Sequence, residues 1–182
     1  MKTSRKILLP LATLVAAGAI AVGSGATFTS TTNNTISSVT SGTLTHSNSK
    51  DNAAIFDLVD LKPGDVLNGS LTITNTGTLP ATFSLTETVS SNEFGKPAEG
   101  AANYLSLAIV NKTTGVTVYS GDFGGLVDGV KVPLGEVAPG EANDFTFTVK
   151  LDQDAPNSQQ GLKASAAYQW DSVQLAGVTV NQ

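Results

Sequence analysis

The 182 residues carry 10 basic and 15 acidic side chains, a single histidine, no cysteine, and aromatic residues at 6%. This composition excludes disulfides, thiolate metal sites and cysteine nucleophiles, and its acidic balance argues against nucleic acid or anionic membrane surfaces, which need clustered Lys and Arg. One histidine cannot build the paired-histidine zinc motifs, and a Ser-His-Asp triad would have only His46 as its base, with no nucleophile-elbow sequence present.

The chain opens with Lys2, Arg5 and Lys6, a 16-residue apolar run over 7–22, and the small residues Ser24-Gly25-Ala26. A bilayer-spanning helix needs roughly 20 apolar residues. The run is shorter, and Pro10 with the small residues near its end suits a cleaved signal peptide over residues 1–26 better than an anchor. Ala19-Ile20-Ala21 is a second acceptable cleavage site. Cleavage after Ala26 leaves 156 of the 182 residues, with seven basic against 15 acidic side chains and a formal charge of −8. That length holds one core. The product is predicted to be secreted, extracellular and free of the membrane once the signal is removed.

Residues 27–45 hold isolated apolar side chains, Phe28, Ile36, Val39 and Leu44, among Ser, Thr and Asn. No neighbouring apolar segment is placed to close a tight hairpin with them. The pattern predicts an exchangeable strand that completes its own sheet or a neighbour's.

Period-two alternation between turn residues marks the rest of the chain, residues 46–182, as strands. In 66–75, Leu67, Gly69, Leu71 and Ile73 share one face, and Phe145, Phe147, Val149 and Leu151 repeat the pattern in 145–151. Further strands are predicted over 53–59, 81–89, 105–111, 116–120 and 162–173, the last with Leu162, Ala164, Ala166, Tyr168 and Trp170 on one face. Turns fall at Lys62-Pro63-Gly64-Asp65, Asn75-Thr76-Gly77, 112–115 and Ala138-Pro139-Gly140-Glu141. Proline then glycine fits the centre of a type II turn, because proline presets φ and glycine accepts the positive φ that follows. Each Pro-Gly turn precedes a strong strand, a weak internal echo. Residues 90–103 and 121–129 read as surface loops. The whole is predicted to be an all-β, two-sheet antiparallel sandwich of jelly-roll type.

Few side chains invite chemistry. His46 reads as a solvent-exposed polar residue. Asp57 and Asp60 flank Leu58-Val59, and Asp152-x-Asp154 lacks the glycine and distal glutamate of an EF-hand, so it reads as a solvated turn. No catalytic residue, metal ligand or cofactor is predicted.

In order and spacing, the signal, Gly23-Ser24-Gly25-Ala26-Thr27-Phe28, Ser41-Gly42-Thr43-Leu44, Leu61-Lys62-Pro63-Gly64-Asp65 and Asn75-Thr76-Gly77 resemble the camelysin and TasA family of secreted Gram-positive proteins. Tyr168-Gln169-Trp170 is similar to that family's late aromatic strand. Many members carry an acidic residue soon after the matching Phe, where this chain has Thr29-Ser30-Thr31. The resemblance implies a jelly roll, export through a dedicated signal peptidase, and assembly into biofilm-matrix fibres in which the N-terminal strand of one subunit fills a groove in the next. The family's label also implies a metalloendopeptidase. The expected function is a structural protein whose partner is itself in a head-to-tail homopolymer, with other matrix proteins as further partners. The alternatives are a monomeric surface adhesion module and a camelysin-type peptidase.

Overall fold

Two ten-residue strands, β2 (Val66–Asn75) and β7 (Ala142–Leu151), show how alternation becomes a core. Their threonines face outward, while Leu71, Ile73, Phe145, Phe147, Val149 and Leu151 are buried. The computed structural model describes residues 41–55 and 61–178, so the predicted signal peptide, Phe28, Ile36 and Val39, and Asp57 and Asp60 lie outside the described residues. The other strands are β1 (His46–Asn48), β3 (Ala81–Asn92), β4 (Leu105–Asn111), β5 (Val116–Asp122), β6 (Lys131–Val137) and β8 (Ala164–Gln174), with a 3₁₀ turn at Asn157–Gln159. Among the described residues there is no α-helix, and no helix is long and apolar enough to cross a membrane.

One sheet has the order β1-β2-β7-β4-β5 and the other β6-β3-β8, with every pairing antiparallel. β2 with β7, β3 with β6 and β4 with β5 are the nested pairs of a jelly roll. The two sheets meet through Phe145 on Trp170, ring centroids 4.7 Å apart, and Phe147 on Tyr168 at 5.3 Å.

The two Pro-Gly corners lock the β2–β7 register. Gly64 and Gly140 have φ of 89° and 79°, as the type II turn requires. In each corner the fourth residue's backbone N–H donates to the first residue's carbonyl, Asp65 to Lys62 at 2.9 Å and Glu141 to Ala138 at 3.1 Å. The carboxylates of Asp65 and Glu141 in turn accept from the N–H of Lys62 and Ala138. Each corner then bonds the far end of the other strand: Gly64 N–H to the Leu151 carbonyl, Gly140 N–H to the Asn75 carbonyl. The sequence echo is thus a local pseudo-twofold.

Asn75 is fully buried and completely satisfied. Its Nδ2 donates to the Leu79 and Val137 carbonyls, both at 2.9 Å, and its Oδ1 accepts from Gly77 N–H. A Cβ on Gly77 would run into the Thr43 carbonyl oxygen, because residues 43–45 lie across this turn through Thr78 N–H to the Thr43 carbonyl and Thr76 and Gly77 N–H to the Thr45 carbonyl.

The structure differs from the sequence reading in four places. β6 was not anticipated, since Pro133 and Gly135 interrupt its alternation; it sits at a sheet edge, where proline is tolerated. β1 has only three residues and no pattern of its own. β3 runs on to Asn92, because Ser90, Ser91 and Asn92 pair with Ala166, Ser165 and Ala164. Residues 53–55 of the anticipated 53–59 strand are not in a strand, and the remainder lies outside the described residues.

Replacing Asn75 with Ala strands three buried backbone groups. A loss of about 3 kcal/mol in unfolding free energy is expected by denaturant titration, from roughly 1 kcal/mol or more per unsatisfied group. An unchanged midpoint would show that the turn holds without it.

Candidate functional site

Among the described residues the sheets are unequal, five strands against three. In an eight-stranded jelly roll the last strand pairs with the first. Here β1 lies on β2, and among the described residues nothing pairs with the outer edge of β8. The inward face of β8 reports the consequence: Ala164, Ala166 and Tyr168 are only half-buried, whereas the inward residues 145, 147, 149 and 151 of β7 are all buried.

A cavity of about 370 Å³ opens along this seam, lined by Leu71 and Ile55 on one side, Ala166, Tyr168 and Trp170 on the other, and polar residues of 48–54 at its mouth. His46 lies outside this lining and bridges the two sheets. The imidazole Nδ1 lies 3.0 Å from Ser172 Oγ and the ring stands edge-on to Phe83 at 5.6 Å. His46 is therefore half-buried and bridges the sheets, in place of the solvent-exposed side chain expected from its polar neighbours. Leu44, 37% exposed, lies in the run that the turn at 76–78 holds. Of the four anticipated strand residues it alone is described, and it sits at the same end of the seam as His46. Asp152 Oδ1 accepts from Asp154 N–H in an exposed turn, as anticipated.

Glu87 is the one acidic residue among the buried residues described, and it escaped the sequence reading. It follows Phe83 and Leu85 in inward register, a carboxylate where the alternation calls for an apolar side chain, and that is the signal that marks it. Tyr168 stands directly opposite in the ladder. Its polar neighbours are the Tyr168 and Ser90 hydroxyls, and neither carboxylate oxygen completes a well-aligned hydrogen bond. Burial holds the Glu87 carboxyl above its usual range, opposed by the Tyr168 and Ser90 hydroxyls and reinforced by the charge of Asp128. Burial, then the Glu87 charge, raises the Tyr168 phenol as well. Asp171 moves the other way: the Gln169 amide and the Lys131 ammonium, 3.2 Å away, hold it low.

The sequence profile of the camelysin metallo-endopeptidase family matches residues 3–100. The chain belongs to this family. Comparison with curated proteins finds no match. The camelysin description implies a metal, so the donors must be tested against one. His46 is the only histidine, its Nδ1 is engaged with Ser172, and no group of three or more His, Cys, Asp or Glu side chains converges among the described residues. That donor set does not fit the three-ligand zinc centre of a peptidase. Within the matched residues, 43–45 lie against the turn at 76–78, and the 62–65 corner bonds the Leu151 end of β7.

A raised Glu87 carboxyl means the folded state binds its proton more tightly than the unfolded chain does. The contribution therefore favours folding at low pH and weakens as pH rises from the ordinary value of 4.5 through the higher folded value. In metal-free buffer, stability from this residue should fall with rising pH in that window, and Glu87→Gln should flatten the slope in thermal melts. A slope identical in the two proteins would remove Glu87 as its source.

Proposed function

We propose that the protein is exported, loses residues 1–26, and acts outside the cell as a structural subunit that polymerises by strand addition. Residues 27–44 of one copy would run along β8 of the next and fill its seam. Main-chain hydrogen bonds would supply affinity and the Ala166, Tyr168 and Trp170 face would set register. The observation that carries this reading is that, among the described residues, no strand pairs with the outer edge of β8, whose inward Ala164, Ala166 and Tyr168 are half-buried.

Edge protection supports it. Sheets usually blunt their edges with proline, charge or bulges. β6, the other edge of the same sheet, has Lys131 and Pro133, whereas on the outward face of β8 Ser165, Ala167 and Gln169 are uncharged and the charge of Asp171 is paired with Lys131.

Chain direction favours a second copy over self-filling. The first strand of a jelly roll is antiparallel to the last, as are all pairs here. The arm is rooted beside Thr43–Thr78 and His46–Ser172, near the Gln174 end of β8, so its own strand entering from there would lie parallel. An antiparallel strand within one chain would instead need a hairpin: seven residues paired over 27–33 cover only about 23 Å of the roughly 33 Å of β8, because 34–41 are spent on the return. The arm of another copy has no such constraint.

Two variants test the mechanism. Deleting 27–39 removes the donor, and Ala166→Asp puts a charge in the acceptor; each alone should give soluble monomers, while an equal mixture should give dimers that stop. Fibres from either variant alone by negative-stain microscopy would overturn the mechanism. Monomeric wild-type protein at high concentration would favour the adhesion module.

Export and activity have their own checks. N-terminal sequencing of secreted protein should begin within a few residues of Thr27, and intact residues 1–22 on membrane-embedded protein would refute cleavage. Casein should remain uncut with or without chelator. Cleavage abolished by His46→Ala would replace this reading with the peptidase.

A further inference from the structure

We propose that Glu87, Ser90, Asp128 and the Gly124 carbonyl form a calcium site beneath the loop that joins β5 to β6. The bulge in the β3–β8 pairing, where Glu87 opposes Tyr168 and Val89 opposes Ala167, swaps the parity of β3 at Thr88. Glu87 and Ser90, three residues apart, therefore both face inward, as a regular strand would not allow. Bulges of this kind re-aim side chains and gather near functional sites.

The loop is held over these two residues at several points. Asn92 Nδ2 donates to the Phe123 carbonyl at 2.9 Å and Gly129 N–H to the Glu87 carbonyl at 2.8 Å, while Val130 N–H to the Val127 carbonyl at 3.0 Å closes a turn within the loop itself. Gly124 packs against Ser90, whose Cβ lies 3.0 Å from where a side chain on Gly124 would begin, and its φ of 69° suits glycine. Asp128 is exposed and Gly124 half-exposed, so the cluster opens to solvent on one side, while Glu87, 0% exposed, forms its floor.

What points to a cation is the excess of acceptors over donors. The single hydroxyl hydrogen of Ser90 faces the Gly124 carbonyl at 3.3 Å and Asp128 Oδ1 at 3.4 Å, with the Glu87 carboxylate also beside it. Neither Glu87 oxygen finds an aligned donor, and the Tyr168 hydroxyl beside them adds one hydrogen at most, so four acceptor oxygens share two hydroxyl hydrogens. The ion pairs among the described residues, Lys62–Asp65 and Lys131–Asp171, are elsewhere. Two carboxylates balance one divalent ion. Oxygens bound at about 2.4 Å and at right angles lie about 3.4 Å apart, matching the spacing around Ser90. An all-oxygen set that includes a backbone carbonyl and leaves room for water suits calcium, which takes six to eight oxygen ligands in flexible geometry, better than magnesium or zinc.

The test is thermal unfolding of the exported chain after chelation, titrated with calcium chloride, alongside terbium luminescence sensitised through Tyr119 and Tyr168. A saturable rise of roughly 5–10 °C is expected at a hundredfold excess over Kd. Glu87→Gln and Asp128→Asn should each remove most of the rise and the terbium signal, while Asp152→Asn keeps both. Glu87→Gln preserves shape, and melting of that variant without calcium establishes that it folds. No shift in the wild-type chain, an equal shift in the Glu87 and Asp128 variants, or an equal response to magnesium would overturn the assignment. These readouts are independent of fibre assembly, so failure of polymerisation would leave them standing.

Discussion

The antiparallel contact of β2 with β7 sets nearly everything else. Its register is fixed twice over, by ladder bonds and by reciprocal clasps in which each Pro-Gly corner bonds the far end of the opposite strand. A slip of one residue would turn Phe145, Phe147, Leu71 and Ile73 to solvent and break both clasps, so the hydrophobic pattern and the turns specify the same pairing. β3 and β8 leave these strands for the second sheet and pair there. Asn75 holds the first of those crossings through the Leu79 and Val137 carbonyls.

Once that pair is fixed, the imbalance between sheets follows. Five strands face three, and the short β1 goes to the larger sheet. The buried aromatic face of β7 needs a cover, yet among the described residues the opposing sheet ends at β8. His46 bridges the sheets through Ser172 and Phe83, and the inward Ala164, Ala166 and Tyr168 stay half-buried. A patch of that kind in a domain without disulfides exposes both backbone groups and core, so it is a liability unless something fills it. Under the proposed function, residues 27–44, with isolated apolar side chains among Ser, Thr and Asn, would fill it.

The parts legible in sequence were those where a single physical rule acts alone. Alternation gave β2, β4 and β7, and the Pro-Gly pairs placed both corners. It gave no warning of β6, where edge position tolerates a proline and a glycine that would break a central strand, nor of β1, which exists only because the turn at 76–78 receives residues 43–45. His46 was misread because its polar neighbours in sequence are not its neighbours in space. The open seam could not be read at all, since it depends on which strand lies beside β8, a choice made by topology and not by local pattern. Glu87 was legible in principle, as a charged residue in the inward register of Phe83 and Leu85, but only once that strand's facing was known.

The family description and the side chains pull in different directions, and the side chains carry the greater physical weight. A zinc peptidase needs nitrogen donors gathered with a free coordination position. Here the sole histidine is spent on joining two sheets, while the buried carboxylate stands among oxygens only. Softness sorts such sites: imidazole suits zinc, whereas carboxylate, hydroxyl and carbonyl oxygens suit hard cations that hold structure without polarising a substrate for attack. A metal at Glu87 would tie the β5–β6 loop to β3 behind Tyr168, whose ring lines the seam. Metal dependence at such a site would then report on the rigidity of β3 and the β5–β6 loop around it.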